Sequence, residues 1–139
     1  MRIIDWGCNN AGMIHSGVTH MTREFIRTTY FDKYWDEMKL SDDDLRELEN
    51  HLLKNPGTGD VISGAGGAIK LRWALPSNAR GKSAGIRIIY VDLAHKKHTH
   101  LLLCYPKTRK ENLTAEQKQY LKKLIAILKG EYGHGKGII

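Results

Sequence analysis

Three strand patterns follow one another between residues 68 and 105, and helical stripes stand only before and after them. That succession constrains the fold more than any other feature. In 68–74, Ile69, Leu71 and Trp73 alternate with Lys70 and Arg72, so the two cations share one face of a strand. In 85–92, Ile86, Ile88 and Tyr90 alternate with Arg87, Ile89 and Val91. The run HTHLLLCY at 98–105 is apolar enough for a central strand. Consecutive strands joined by short connections favour antiparallel pairing.

The flanks read as helices after one further strand at 23–27. Phe31, Tyr34, Trp35 and Met38 form a helical stripe behind Thr29, whose spacing to Asp32 suggests an N-cap. Leu45, Leu48, Leu52 and Leu53 form a second stripe, capped by Ser41 with Asp44 and stopped by Asn55-Pro56-Gly57. Asp42, Asp43 and Asp44 occupy its first turn, where the helix dipole favours them. The third helix spans 115–129, with Tyr120, Leu121, Leu124, Ile125 and Leu128 as its buried stripe and lysines on its wet face. The glycine-rich stretch 57–67 lacks GxxxxGK[ST] and leads into a strand, so turns and a bulge suit it better than a phosphate loop. The expected order is β-α-α-β-β-β-α: an α+β fold with a mostly antiparallel sheet, two N-terminal helices and a C-terminal helix, and one sheet face open.

At 139 residues, the chain has the length of one domain. Residues 1–20 lack periodicity and precede a second methionine at the start of the pattern, Met21. They read as an N-terminal extension, non-native or flexible, or else as a genuine arm. The domain proper is then 21–130, with 131–139 a flexible tail. With 41% hydrophobic residues the chain is too apolar for disorder, yet no run approaches the roughly 18 residues of a membrane span. Two cysteines without a CxxC, Cys8 and Cys104, and no signal-peptide pattern fit a reduced, cytoplasmic setting.

The net charge of +7 is concentrated. Residues 1–69 carry 7 basic and 11 acidic side chains, whereas 70–110 carry 10 basic ones against Asp92 alone. Such a field draws polyphosphate, nucleic acid or an acidic partner. Arg87 can join Lys70 and Arg72 on the open sheet face. No helix carries a basic recognition face, which argues against a DNA-binding role.

The blocks NPGTGDVISGAGGAIKLRW, ARGKSAGIRIIYVDL and LLLCYPKTRKENLTAEQ resemble, in order and spacing, the RelE/HigB-like toxins of bacterial type II toxin–antitoxin modules, in the RelE/ParE superfamily. The resemblance covers residues 22–130. Ile69, Ala84, Val91 and Pro106 depart from the pattern, Ile69 at a commonly basic position, while Lys70, Arg72, Lys82 and Arg87 match it. It implies a microbial-RNase-like fold and a ribosome-dependent mRNA endoribonuclease that needs no metal or other cofactor. The ribose 2′-OH would attack its own 3′-phosphate, leaving a 2′,3′-cyclic phosphate and a 5′-OH. Lys70 is the candidate base, with like-charge repulsion from Arg72 and Arg87 favouring its neutral amine. Arg72 and Arg87 would clamp the phosphate. Lys82, Lys107 and Lys110 would hold flanking RNA. Tyr90 is a stacking or proton-donating candidate, although its strand parity opposes Arg87 and a core role competes. The implied partners are the ribosome, mRNA and a cognate antitoxin, a small helix-turn-helix protein, with no membrane. A non-catalytic basic module that binds RNA or the ribosome is the alternative. His98 and His100 share a strand face as a metal pair would, but no third ligand accompanies them.

Overall fold

The computed structural model describes residues 2–6, 21–74, 85–109 and 112–130. The expected basic linker 76–82, the residues Lys82 and Lys110, and the tail 131–139 lie outside them. The elements are β1 (Arg2–Trp6), β2 (Met21–Arg27), α1 (Thr29–Glu37), α2 (Asp42–Lys54), β3 (Asp60–Val61), β4 (Ile69–Trp73), β5 (Ile86–Leu93), β6 (His98–Pro106) and α3 (Ala115–Leu128). The strands form one sheet in the order β1-β2-β6-β5-β4-β3. β4, β5 and β6 pair antiparallel, and β3 and β1 add to the edges in the same sense. β2 pairs parallel to β6, so the sheet is mixed. The intervening α1–β5 segment supplies the long crossover that a parallel pair needs. Neither β1 nor β3 shows in the periodicity, because backbone pairing at an edge asks little of side chains and β3 has two residues.

Local signals explain the helix starts, with one correction. Thr28, not Thr29, caps α1: its hydroxyl accepts from the Phe31 amide at 3.0 Å and donates to the Leu102 carbonyl at 2.7 Å. Asp32 is instead paired with Arg27 at 2.6 Å. Ser41 and Asp44 close a reciprocal capping box on α2, and Thr114 and Gln117 close one on α3.

Both sheet faces carry helices, which corrects the expectation of one open face. Phe31 and Trp35 of α1 and Leu45, Leu48, Leu52 and Leu53 of α2 bury against Phe25, Leu71, Ile88, Tyr90, Leu101 and Cys104. On the other face Leu121 and Ile125 of α3 bury against Ile89, Val91, Leu102 and Tyr105. Truncating Leu48 to alanine in such packing costs roughly 2–5 kcal/mol. Tyr120, expected in the buried stripe of α3, is 52% exposed. Between these layers β6 has one residue more than β5. Ile89 opposes Leu103 and Tyr90 opposes Leu101, so Leu102 is the extra residue of a bulge. Leu102 and Leu103 therefore both pack toward α3, while Leu101 and Cys104 flank them on the α1–α2 side.

His100 is buried on the α3 side of β6, 7% exposed, with the His98 ring 5.7 Å away edge-on. Burial above all, then the charges of His98 and Lys96, pushes its imidazole down to about 4. The unfolded chain, near 6.5, then binds the extra proton first, so stability is full above that value and falls as pH drops toward 4. Between pH 7.5 and 5 this group should cost about 2 kcal/mol of folding stability. Urea denaturation at the two pH values should show that loss, and His100→Gln should remove most of it. An equal loss in the variant would assign the acid sensitivity elsewhere.

Candidate nucleic-acid interface

The register of β4 and β5 builds the cationic face. Arg72 lies directly opposite Arg87, and Lys70 directly opposite Ile89, so all three cations project on the α3 side of the sheet. Directly opposed residues have Cα atoms about 4.5–5.5 Å apart, and like charges so placed repel. Arg72 is exposed and Lys70 half-buried, whereas Arg87 is 6% exposed, set between Arg72 on one side and Tyr105 of β6 on the other. The strands thus bring Lys70, Arg72 and Arg87 to one surface, with Arg87 at its floor. Lys107 is exposed at the same end of the sheet, its amide bonded to the Gly85 carbonyl just before β5.

The structure removes one residue from the expected interface. Tyr90 is fully buried on the opposite face, in the α1–α2 core, and cannot stack on RNA. Its hydroxyl donates to the Thr58 carbonyl at 2.5 Å, and burial first, then Asp92, pushes its ionisation well above the ordinary tyrosine range. It ties the turn before β3 to the central strand. Asp92, the lone acid of the basic segment, is also on that face. It accepts two bonds from Arg23, at 2.9 and 3.2 Å, and one from Thr99 at 2.8 Å. Lys96 is structural too, donating at 2.7 Å to the Leu128 carbonyl at the end of α3.

Two cavities flank the start of α3. One, of about 260 Å³, has Leu102, Leu103 and Leu121 with three tyrosines as its lining and Glu116 as its charged residue. The other, of about 240 Å³, opens beside Lys70 and has a mixed lining, with Asp60, Ser63, Asn112 and Lys118 as its other polar residues. Sequence reasoning missed this second group. Lys118 reads as one of several wet-face lysines, and Asp60, although inside the glycine-rich block, is placed opposite Lys70 only by the register of β3 on β4.

His98 lies 3.5 Å from Glu24, but among the described residues no three His, Cys, Asp or Glu side chains gather as a metal set would. Burial pushes the Cys104 thiol far up, as suits a core residue rather than a nucleophile. Among the described residues no helix is long and apolar enough to cross a membrane. No protein-family model matches the chain.

Tyr90→Phe should lower folding stability by about 0.5–1.5 kcal/mol, the worth of one hydrogen bond, and leave RNA affinity unchanged. Denaturant melts and RNA titration of one preparation check both. A loss of RNA affinity at unchanged stability would return Tyr90 to the interface.

Proposed function

We propose that this chain is the toxin of a type II toxin–antitoxin module of the RelE/HigB-like kind, a cytoplasmic endoribonuclease that cuts mRNA on the ribosome. The observation that carries the reading is the opposition of Arg72 and Arg87 across β4 and β5, with Lys70 two residues along the same face. Two guanidinium groups side by side form a clamp for a phosphodiester, and their planar donors suit a phosphorane whose equatorial oxygens gather charge. The resemblance of the motif blocks quoted above supports the choice of family.

The chemistry follows from these groups. Lys70 takes the proton of the ribose 2′-OH. The freed oxygen attacks the adjacent phosphorus, and Arg72 and Arg87 hold the pentacoordinate oxygens. The bond to the 5′-oxygen breaks, and that oxygen needs a proton. With Tyr90 in the core, we assign the donation to Lys107 at the same end of the sheet. The products are a 2′,3′-cyclic phosphate and a 5′-OH, and no redox or group carrier is needed to balance the step. The ribosome contributes by holding mRNA in line, since positioning alone can be worth about 7–11 kcal/mol. A cognate antitoxin, a small helix-turn-helix protein, would keep the cationic face from cellular RNA.

Arg72 offers the cleanest test because it is exposed, whereas replacing Arg87 also disturbs a buried position. Arg72→Ala should slow cleavage of mRNA on translating ribosomes by about 10²–10³, the usual cost of one donor to developing charge. Its folding stability should stay within about 0.5 kcal/mol of wild type. Lys70→Gln should abolish cleavage while much RNA binding survives. Primer extension across a translated message, alongside denaturant melts, reads these outcomes. Absence of cleavage in the wild type, with RNA binding intact, would favour a non-catalytic ribosome-binding module.

A further inference from the structure

We propose that the cleft between β3, β4 and the start of α3 seats a ribose-phosphate unit of the RNA strand, next to the phosphate held by Arg72 and Arg87. The proposal rests on the RNA-cleaving reading of that face and adds Lys118, Asn112, Ser63 and Asp60 to it. The cleft holds about 240 Å³ and opens beside Lys70. Lys70 and Lys118 are both half-buried around it, and Ile62 and Leu113 supply apolar wall. Lys118 brings an ammonium to this small cavity, and apolar walls strengthen its interaction with an anion. A phosphate seated at Lys118 finds neutral donors in the Asn112 amide and the Ser63 hydroxyl.

The backbone, not the flexible lysines, sets the cleft. Gly59 has a positive φ, and a Cβ there would meet the Lys70 carbonyl oxygen at 2.7 Å. Gly66, also at positive φ, brings the loop between β3 and β4 so close to α3 that a Cβ would meet the Lys122 Cα at 2.9 Å. The loop is closed on itself by the bond from the Ile62 amide to the Ala68 carbonyl, 2.8 Å. The cavity is therefore in place before a ligand arrives.

Continuity and donor chemistry identify the occupant. Lys70 lies two residues, roughly 6.7 Å, from Arg72 on the same strand face, so a strand gripped at Arg72 and Arg87 passes into the cleft. Asp60 is out of place in a site for a bare phosphate. Opposite Lys70 it suits a sugar: its carboxylate can accept from a ribose 2′-OH, the group by which proteins distinguish RNA from DNA. Donors for phosphate beside an acceptor for a hydroxyl are the complement of one ribonucleotide backbone unit.

Binding of a short single-stranded RNA and of the DNA of the same sequence, off the ribosome and across a salt series, tests this. One phosphate contact contributes about 0.7 to the slope of log K against log salt for single strands. Lys118→Gln should reduce that slope by about this amount and weaken RNA binding. Lys39→Gln, in the turn between α1 and α2, should change neither. Wild type should prefer RNA over DNA, and Asp60→Ala should erase the preference while tightening DNA binding. An unchanged slope in Lys118→Gln overturns the phosphate seat, even if that variant weakens binding of a protein partner. An unchanged RNA-to-DNA ratio in Asp60→Ala overturns the ribose contact. Neither readout involves cleavage, so an inactive protein on the ribosome would refute the nuclease and leave these results standing.

Discussion

One extra residue in β6 lets a single strand serve two cores. Without the bulge at Leu102, alternation would carry every residue on one side of it to the wrong face. With it, Leu101 and Cys104 belong to the α1–α2 core, while Leu102 and Tyr105 belong to the α3 core. The Leu102 carbonyl also receives the Thr28 hydroxyl, so the bulge fixes where α1 begins. Tyr105 then stands opposite Arg87, at the floor of the cationic face. The catalytic candidates are thus held by a register, and their spacing is as rigid as the ladder.

That register divides the charged residues of the basic segment by task. Asp92 and its partners Arg23 and Thr99 sit away from the clamp, so the segment's one acid does not neutralise Arg72 and Arg87 from their own face. Lys96 is spent on the end of α3. Among the described residues, what remains on the α3 side is a short cationic track along β4 and β5. Apolar packing and exposed charge are therefore partitioned by sheet face, the α1–α2 side carrying the larger apolar core and the α3 side the cations of β4 and β5.

Much of this architecture was legible in the sequence. Alternation in 68–74 and 85–92 put Lys70, Arg72 and Arg87 on faces that the strands then brought together. The same alternation held the warning about Tyr90, whose parity differs from that of Arg87. The capping box at Ser41 is local chemistry, and the strands β4, β5 and β6 and the helical stripes declare themselves by period. What stayed hidden depends on partners distant in sequence. The parallel β2–β6 pair is a tertiary choice. The role of Thr28 depends on a carbonyl 74 residues away. A bulge cannot be seen in a run of three leucines that are equally apolar on either face. Asp60 and Lys118 meet Lys70 only after β3 has paired and α3 has docked.

The close approach of Gly66 to α3 has an evolutionary consequence. What a side chain at 66 would strike is the Cα and carbonyl oxygen of residue 122, atoms present whatever residue stands there. Substitution at 122 cannot compensate for a change at 66. Among related sequences, position 66 should remain glycine while position 122 drifts, and the width of the cleft should be inherited through the residue with no side chain.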